Sequence, residues 1–488
     1  MKKVAKNIIV LVSLATAGFL QSGCKKEFLE ITPKGVLIAE KTGDYDMMLN
    51  AGSLHQFQYF SPIVMGDEVA GSSGFSTIGF GAASMADQEA FKWSDDIYLP
   101  NNTESEITVL VKQVYIYNKI IAEVMNSSGG TDAQKSALKA EALTGRAWVN
   151  FLLANLYGKP YNAATAANDP ASPLFMVANV TQTTFTRATV KQMYDQMVAD
   201  LNEAIPLLPA TITNNSRASR PAAQALLGKV YVFMQQWDAA LPLLQAFTNS
   251  LSSATIDVGL YDYHKEFSTN GVFMPIDPMY GPNRLYADMD KEVAYMRTAI
   301  RLYAAGLDGV LISPETAALY TASDERLKFF SPQTWLTGMN YPTGMMRGWG
   351  QSYANMGVTV PDIFLLIAEC KARLGQTAAA AEDIRNFRLT RVSAQDAPVP
   401  TAVANNKVAL VKYILEERIR EFALTGNRWL DMRRISVEPE YASTIGNTHR
   451  VYDDFGKVTA TYTMKPERLT LRFPIYIMDA NPNLSNNP

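Results

Sequence analysis

The chain has 488 residues, 48% of them hydrophobic and 19% charged, with a formal net charge of −3. That length and polarity suffice to bury a large core as one big domain or two. Residues 1–23 hold Lys2, Lys3 and Lys6 and no acid, so without them the balance falls to −6 and no basic excess remains to hold a phosphate backbone. The composition argues against a nucleic-acid partner.

In chain order, the three lysines precede an apolar run from Ile8 to Leu14, and small residues lead to Ser22-Gly23-Cys24. Charged, apolar, then small is the order of a secretory signal, and the run is too short to span a bilayer. The segment resembles a bacterial lipoprotein signal, which implies that Cys24 becomes the acylated first residue of the mature protein. It departs from that pattern at Gln21, where an apolar residue is usual; Leu20 stands one place further back. Lys25-Lys26-Glu27 loosely resembles the tag that sends such lipoproteins to the cell surface in some Gram-negative bacteria. With Cys24 acylated, Cys370 is the only thiol left, so no internal disulfide is possible. Lying in IFLLIAECKARL, it reads as a small buried hydrophobe.

Asp44 to Gly52 reads as a short helix, and Gln56 to Pro100 is Gly- and aromatic-rich without a clear period. Thr103 with Glu106 forms a capping box ahead of EITVLVKQVYIYNKIIAEVM, and Thr131 with Gln134 forms another ahead of the longest helical stretch. There Leu138, Ala142, Gly145, Val149, Leu152 and Leu156 recur at steps of three and four, and Gly158 and Pro160 supply the stop. A helix apolar nearly all round has neighbours on nearly all sides. It is expected to be central, with Gly145 admitting a close approach. After a long connection, Thr189 and Gln192 cap a helix whose stripe is Val190, Met193, Met197, Leu201, Ala204 and Leu208.

PAAQALLGKVYVFMQQWDAALPLLQAF and PDIFLLIAECKARLGQTAAAAEDIRNF share the tetratricopeptide spacing, with Leu227-Gly228, Tyr231, Ala240 and Leu244 in one and Ile367-Ala368, Gly375, Ala380 and Ile384 in the other. Small residues at such points let antiparallel helices approach, and a weaker copy surrounds Gly145. The fold class is therefore mainly α, a tetratricopeptide-like scaffold of stacked helix pairs with a large loop-rich lobe. Helix pairs are expected at about 103–250 and 361–435, and the lobe at about 53–100 and 261–360. Within the lobe a helix is expected near MDKEVAYMRTAIRLYAAG. The last helix is expected to run unbroken from Val411 to about Arg434, through VKYILEERIREFALTGNRWLDMRR.

Chemistry-bearing residues are sparse. Glu417 and Glu421 could be an acid/base pair, yet no cleft-forming loop brackets them, so they read as ion-pair partners locking this helix under its neighbours. His55, His264 and His449 are scattered without metal-ligand spacing. Asp288, Asp290 and Glu292 alternate like a calcium loop, but Val293 stands where that loop needs Gly, so a solvated helix start is expected. Gly350-Gln351-Ser352-Tyr353-Ala354 lacks the final Gly of a nucleophile elbow. No catalytic residue, metal site or cofactor is assigned. Trp148, Trp237 and Trp429 lie in periodic helical segments, whereas Trp93, Trp335 and Trp349 stand among Gly, Pro, Ser or Asn. A sugar's flat C–H face stacks on an aromatic ring, so Trp93, Trp335, Tyr341 and Trp349 are the candidate ligand platforms.

Cys24 followed by Phe28-Leu29 and Pro33, LKAEALTGRAWVNFLLANLYGKPY, YDQMVADLNEAIPLLP, RPAAQALLGKVYVFMQQWDAA, EERIREFALTGNRWLDMRR and the ending FPIYIMDANPNLSNNP resemble, in order and spacing, the SusD/RagB family of outer-membrane nutrient-binding lipoproteins. One departure is Thr359-Val360, where the family commonly has an Arg before the Asp matching Asp362. The resemblance implies a signal peptide at 1–23, a surface tether at 24–43 and a single domain at 44–488. It also implies a lipid-anchored protein on the outer face of the outer membrane, without enzymatic activity. Such a protein captures oligosaccharides or peptides and hands them to a TonB-dependent, SusC-like transporter. A surface glycoside hydrolase and a helical-repeat scaffold for protein partners are the rival classes.

Overall fold

A computed structural model describes residues 39–488 except 59–60, 73–83, 101–104, 279, 284–286, 301–308, 335–336 and 350–352. Its backbone of helices follows the expected order. α1 (Thr42–Leu49) leads to α2 (Glu106–Glu123), α3 (Asp132–Tyr157) and α4 (Val190–Ala204). The two repeat pairs are α5 (Arg220–Phe233) with α6 (Trp237–Ser250) and α7 (Val360–Arg373) with α8 (Thr377–Arg388); α9 (Lys407–Phe422) and α10 (Asn427–Ser436) close the array.

α3 is the central element, buried without interruption from Ala142 to Tyr157, and its Thr131–Gln134 capping box is formed in both directions. α2 and α4 pack on it. A Cβ on Gly145 would lie 2.3 Å from the Tyr117 ring of α2, so only glycine permits this contact. Gly228 does the same for α5 on α6, where a Cβ would meet Leu244 at 2.7 Å. α6 stacks on α7, joining the two repeat pairs into one array, and Cys370 is buried within it. The Thr189–Gln192 box heads α4.

Three expectations change. The Thr103 half of the first capping box lies outside the described residues, and its partner Glu106 points inward: its carboxylate accepts hydrogen bonds from Ser61 N–H at 3.2 Å, from Ser61 Oγ at 2.8 Å and from Tyr98. The expected lobe helix is instead two strands where it is described, because Val293–Tyr295 pairs with Val358–Thr359, and Thr298–Ile300 pairs on one side with Gln56–Gln58 and on the other with Tyr353–Asn355. The last helix breaks between Phe422 and Asn427, with Leu424 at φ 59 and Gly426 at φ 84, a left-handed turn that no continuous helix contains.

The lobe is a set of small sheets. β1 (Gln56–Gln58) runs parallel to β4 (Thr298–Ile300), which pairs antiparallel with β8 (Tyr353–Asn355). β2 (Val69–Ser72) lies between β5 (Val310–Ile312) and β10 (Thr448–Tyr452), with β11 (Val458–Thr463) outermost. β3 (Val293–Tyr295) pairs with β9 (Val358–Thr359), which leads straight into α7 and so ties lobe to scaffold. β6 (Phe330–Ser331) and β7 (Arg347–Gly348) form a short ribbon.

The polar residues of the final helical stretch explain its density of charge. Asp362 of α7 binds Lys229 and Arg418, each at 2.8 Å, in a chain that continues through Asp431, Arg434, Glu369 and Arg373 to Glu438. Four cations meet four acids, and each internal member has partners on two sides. Although burial pushes the Asp431 carboxyl up, the Arg418 and Arg434 guanidiniums hold it far below the ordinary range. Without an Arg at 359–360, Lys229 and Arg418 are the partners of Asp362. Arg428 binds Asp67 in the loop before β2. The next residue, Glu68, is 1% exposed, and neither of its carboxylate oxygens has a hydrogen bond of good geometry. Burial, with Asp67 beside it, pushes Glu68 up to about 8; Arg428 and nearby backbone N–H groups offset this only in part.

Candidate functional site

The break between α9 and α10 opens a cleft of about 190 Å³ where the lobe meets the scaffold. One wall is aromatic, with Tyr261, Tyr263, Phe329 and Phe330 from the lobe. The lining also includes Thr425 and Asn427 from the break and Asn355 from the end of β8. Aromatic rings together with amides and hydroxyls suit a ligand that has both C–H faces and hydroxyl edges. The break thus corrects the sequence expectation that no loop brackets Glu421, since Glu421 itself borders the cleft.

The rings are fixed by one another. Tyr263, Phe267, Phe273 and Phe329 form a cluster with centroids 5.0–6.3 Å apart, largely edge to face. Beneath them lies a second buried chain of ion pairs. Glu417 meets Arg326 at 2.8 Å, Arg388 at 2.5 Å and Arg420 at 2.7 Å; Glu421 meets Arg326 at 3.0 Å and Arg391 at 2.9 Å. Arg391 continues to Glu292 at 2.8 Å, and Arg326 to Asp324 at 2.8 Å. Again four guanidiniums face four carboxylates, and the chain joins the lobe (Glu292, Asp324, Arg326) to α8 and α9 and the turn after α8. The Arg391 guanidinium centre also stands 3.8 Å from the Tyr263 ring centroid, coupling the ion pairs to the aromatic wall.

Electrostatics follow from that wiring. Burial pushes the Glu417 carboxyl up, but Arg326, Arg420 and Arg388 together pull it well below the ordinary carboxylate range. Glu292 moves the other way, to about 7, because its burial outweighs Arg391. Glu292 and Asp290 are therefore a buried ion-pair partner and a half-buried acceptor, whose Oδ1 receives the Glu292 N–H at 2.9 Å, rather than a solvated helix start. The Glu417 and Glu421 pair takes the structural reading. Arg391 lies between Glu292 and Glu421 and binds both, an arrangement that holds charge in place rather than moving a proton.

The four platform candidates separate. Trp349 follows the cleft-lining Gly348; its N–H donates to Phe329 O at 3.1 Å, and its half-buried ring lies under the Arg347 guanidinium at 4.6 Å. Trp93 is 3% exposed, stacks on His449 at 3.6 Å and donates its indole N–H to Met65 O, all of which pin its loop to the core. Tyr341 is 5% exposed and packs with Ala70, Leu311, Met345 and Tyr452. Trp335 and Gly350-Gln351-Ser352 lie outside the described residues, as does Cys24. Of the cleft residues, the sequence pointed to Asp290, Glu292 and Glu421, though for other roles; its aromatic residues and Asn355, Thr425 and Asn427 were not singled out.

A family model described as starch-binding and associating with the outer membrane matches residues 70–232, and the SusD family model matches 317–488. The chain belongs to the SusD/RagB family. Among solved structures it is similar to a SusD superfamily protein from Bacteroides thetaiotaomicron, at TM-score 0.68 and 17% identity over 92% of this chain and 100% of that one. Surface glycan-binding protein A from Bacteroides uniformis gives 0.64 at 14% identity, over 91% and 99%. A laminarin-binding SusD-like protein gives 0.60 at 15% identity, over 92% and 99%. These likenesses establish the SusD-like helical fold. No curated protein matches the chain. No helix among the described residues is long and apolar enough to cross a membrane.

Proposed function

We propose that this SusD/RagB-family chain is a surface lipoprotein that captures oligosaccharide and passes it intact to a TonB-dependent, SusC-like transporter. The observation that carries the reading is the cleft at the α9–α10 break, lined by aromatic rings and by Asn355, Thr425 and Asn427, while the neighbouring acids Glu292 and Glu421 are tied to Arg391. Sugar rings need stacking faces and amide or hydroxyl partners, and no proton transfer. Trp349 at the cleft margin extends the platform. The names of the glycan-binding relatives support the ligand class. Cys24 anchors residues 24–43 as a tether, and 44–488 act as one domain.

The test is a glycan pull-down with purified protein, followed by analysis of what is recovered. Intact oligosaccharide, with binding weakened at least about fivefold by Phe330→Ala or Trp349→Ala as for loss of a stacking platform worth roughly 1–3 kcal/mol, is expected. Cleavage products that vanish on changing Glu421 would establish a hydrolase instead. Enrichment of peptides alone would move the chain to the peptide-binding branch of the same importer class.

A further inference from the structure

The loop Gly66-Asp67-Glu68 does not itself line the cleft, yet it holds the turn that does. Asp67 binds Arg428, the second residue of α10, through both its oxygens at 2.5 and 2.7 Å, and its N–H stands 3.2 Å from Met432 Sδ. Glu68 O accepts from Ser313 N–H at 2.8 Å, while the Glu68 carboxyl lies beside the Leu424 N–H inside the break. A Cβ on Gly66 would fall 1.9 Å from a Glu68 carboxylate oxygen, so any larger residue there would displace the carboxyl from its place. Ala423, Leu424, Thr425 and Asn427 line the cleft. One short turn therefore has the ligand site against it and a buried acid packed on it.

That acid has little with which to hold a charge. It is nearly sealed from water and has no well-formed hydrogen bond. Asp67 beside it repels a second negative charge, and Arg428, the nearest cation, is already engaged by Asp67 and by Thr444 O. His449 of β10 lies 2.7 Å from Gly66 O, but burial pulls it down to about 4 and leaves it neutral. An ionised Glu68 must therefore draw in water. The surrounding walls differ in how readily they yield. β2, which follows directly, is paired on both sides by β5 and β10. The turn belongs to no strand pair, and it carries Leu424 at φ 59, a strained conformation for a residue with a Cβ.

We propose that Glu68 is a positioning residue for capture: its neutral carboxyl keeps the turn closed and presents Thr425 and Asn427 to the cleft, and its ionisation opens the turn to water and withdraws that part of the lining. The consequence for ligand rests on the capture reading above; the movement of the turn does not. In the closed turn burial raises the Glu68 proton to about 8, whereas the opened turn releases it at an ordinary carboxylate value. Opening thus becomes about tenfold easier with each pH unit between about 5 and 8, and no easier above.

Amide hydrogen exchange of the full chain, followed by mass spectrometry from pH 5 to pH 9 with Glu68→Gln as reference, reads this movement. Dividing the wild-type rate for the peptide Ala423 to Arg428 by the variant's rate removes the chemical pH dependence of exchange. The ratio should climb about tenfold per pH unit and level off above pH 8 while α3 stays protected, which marks the opening as local. Laminarihexaose and maltoheptaose, titrated by tryptophan fluorescence, read the consequence. Wild-type affinity should fall at least about twofold from pH 6 to pH 9, as when half the molecules are open, and Glu68→Gln affinity should hold. An exchange ratio flat with pH, or one that rises only together with that of α3, would overturn the proposal, as would sugar affinity with the same pH profile in both forms. If neither sugar binds, the capture reading loses its support and the exchange ratio alone decides the movement.

Discussion

Replacing Glu68 by Gln should make the protein more stable, and by an amount that depends on pH. Glu68 is buried with no well-formed hydrogen bond to either carboxylate oxygen, and its acidity is displaced from an ordinary 4.5 to about 8. Between those values the folded chain keeps a proton that the unfolded chain has released, so this group lowers stability as pH rises through the window. At roughly 1.4 kcal/mol per pH unit, the penalty is about 3 kcal/mol at neutrality and approaches about 5 kcal/mol above pH 8. Gln keeps the shape and cannot ionise. Urea denaturation of wild type and Glu68→Gln, followed by tryptophan fluorescence from acid to mildly alkaline pH, isolates the group because every other titration cancels in the difference. The curves should coincide near pH 4 and separate progressively towards pH 8. A constant separation across the range would show that Glu68 holds no proton in the fold, and the reasoning would fail.

Removing Glu417 as Glu417→Ala strands Arg326, Arg388 and Arg420 without their shared acid and should cost about 3–5 kcal/mol in the same urea assay. The carboxyls of Glu417 and Asp431 are held far below their ordinary values, so the stability they supply is present at neutral pH and survives acidification; circular dichroism should show helices persisting until the pH falls below the ordinary carboxylate range. Gly145→Ala drives a methyl into the Tyr117 ring and should destabilise by about 1–3 kcal/mol, read as a lower melting temperature. Cys24→Ala should abolish incorporation of labelled fatty acid; equal labelling of both forms would reject lipidation.

What could be read from the sequence was local and periodic. The capping boxes at Thr131 and Thr189 and the glycines at 145 and 228 act through neighbours three to four residues away or through the absence of a side chain, so spacing alone reveals them. Val293 to Ile300 carries alternation short enough to suit helix or strand, and its strand state depends on β1, β8 and β9, segments far away in the chain. The α9–α10 break was missed because FALTG reads as helix until Leu424 and Gly426 turn left-handed. That one turn opens the cleft, so missing it also hid Asn427 and Thr425. Trp93 stood out for its irregular surroundings, yet its role was set by His449, more than 350 residues later.

Well above pH 7, where Glu292 is ionised as well, the two buried chains of ion pairs each sum to zero, and this governs how a ligand arrives rather than how tightly it is held. A cluster with no net charge projects a field that dies away within a few ångströms, so the cleft neither draws in nor repels molecules approaching from solution. Capture then proceeds at the pace of unassisted diffusion and correct orientation, and its association rate should be nearly the same in dilute buffer and in concentrated salt. An uncharged polymer loses nothing by this, whereas a charged one would gain no head start over its competitors.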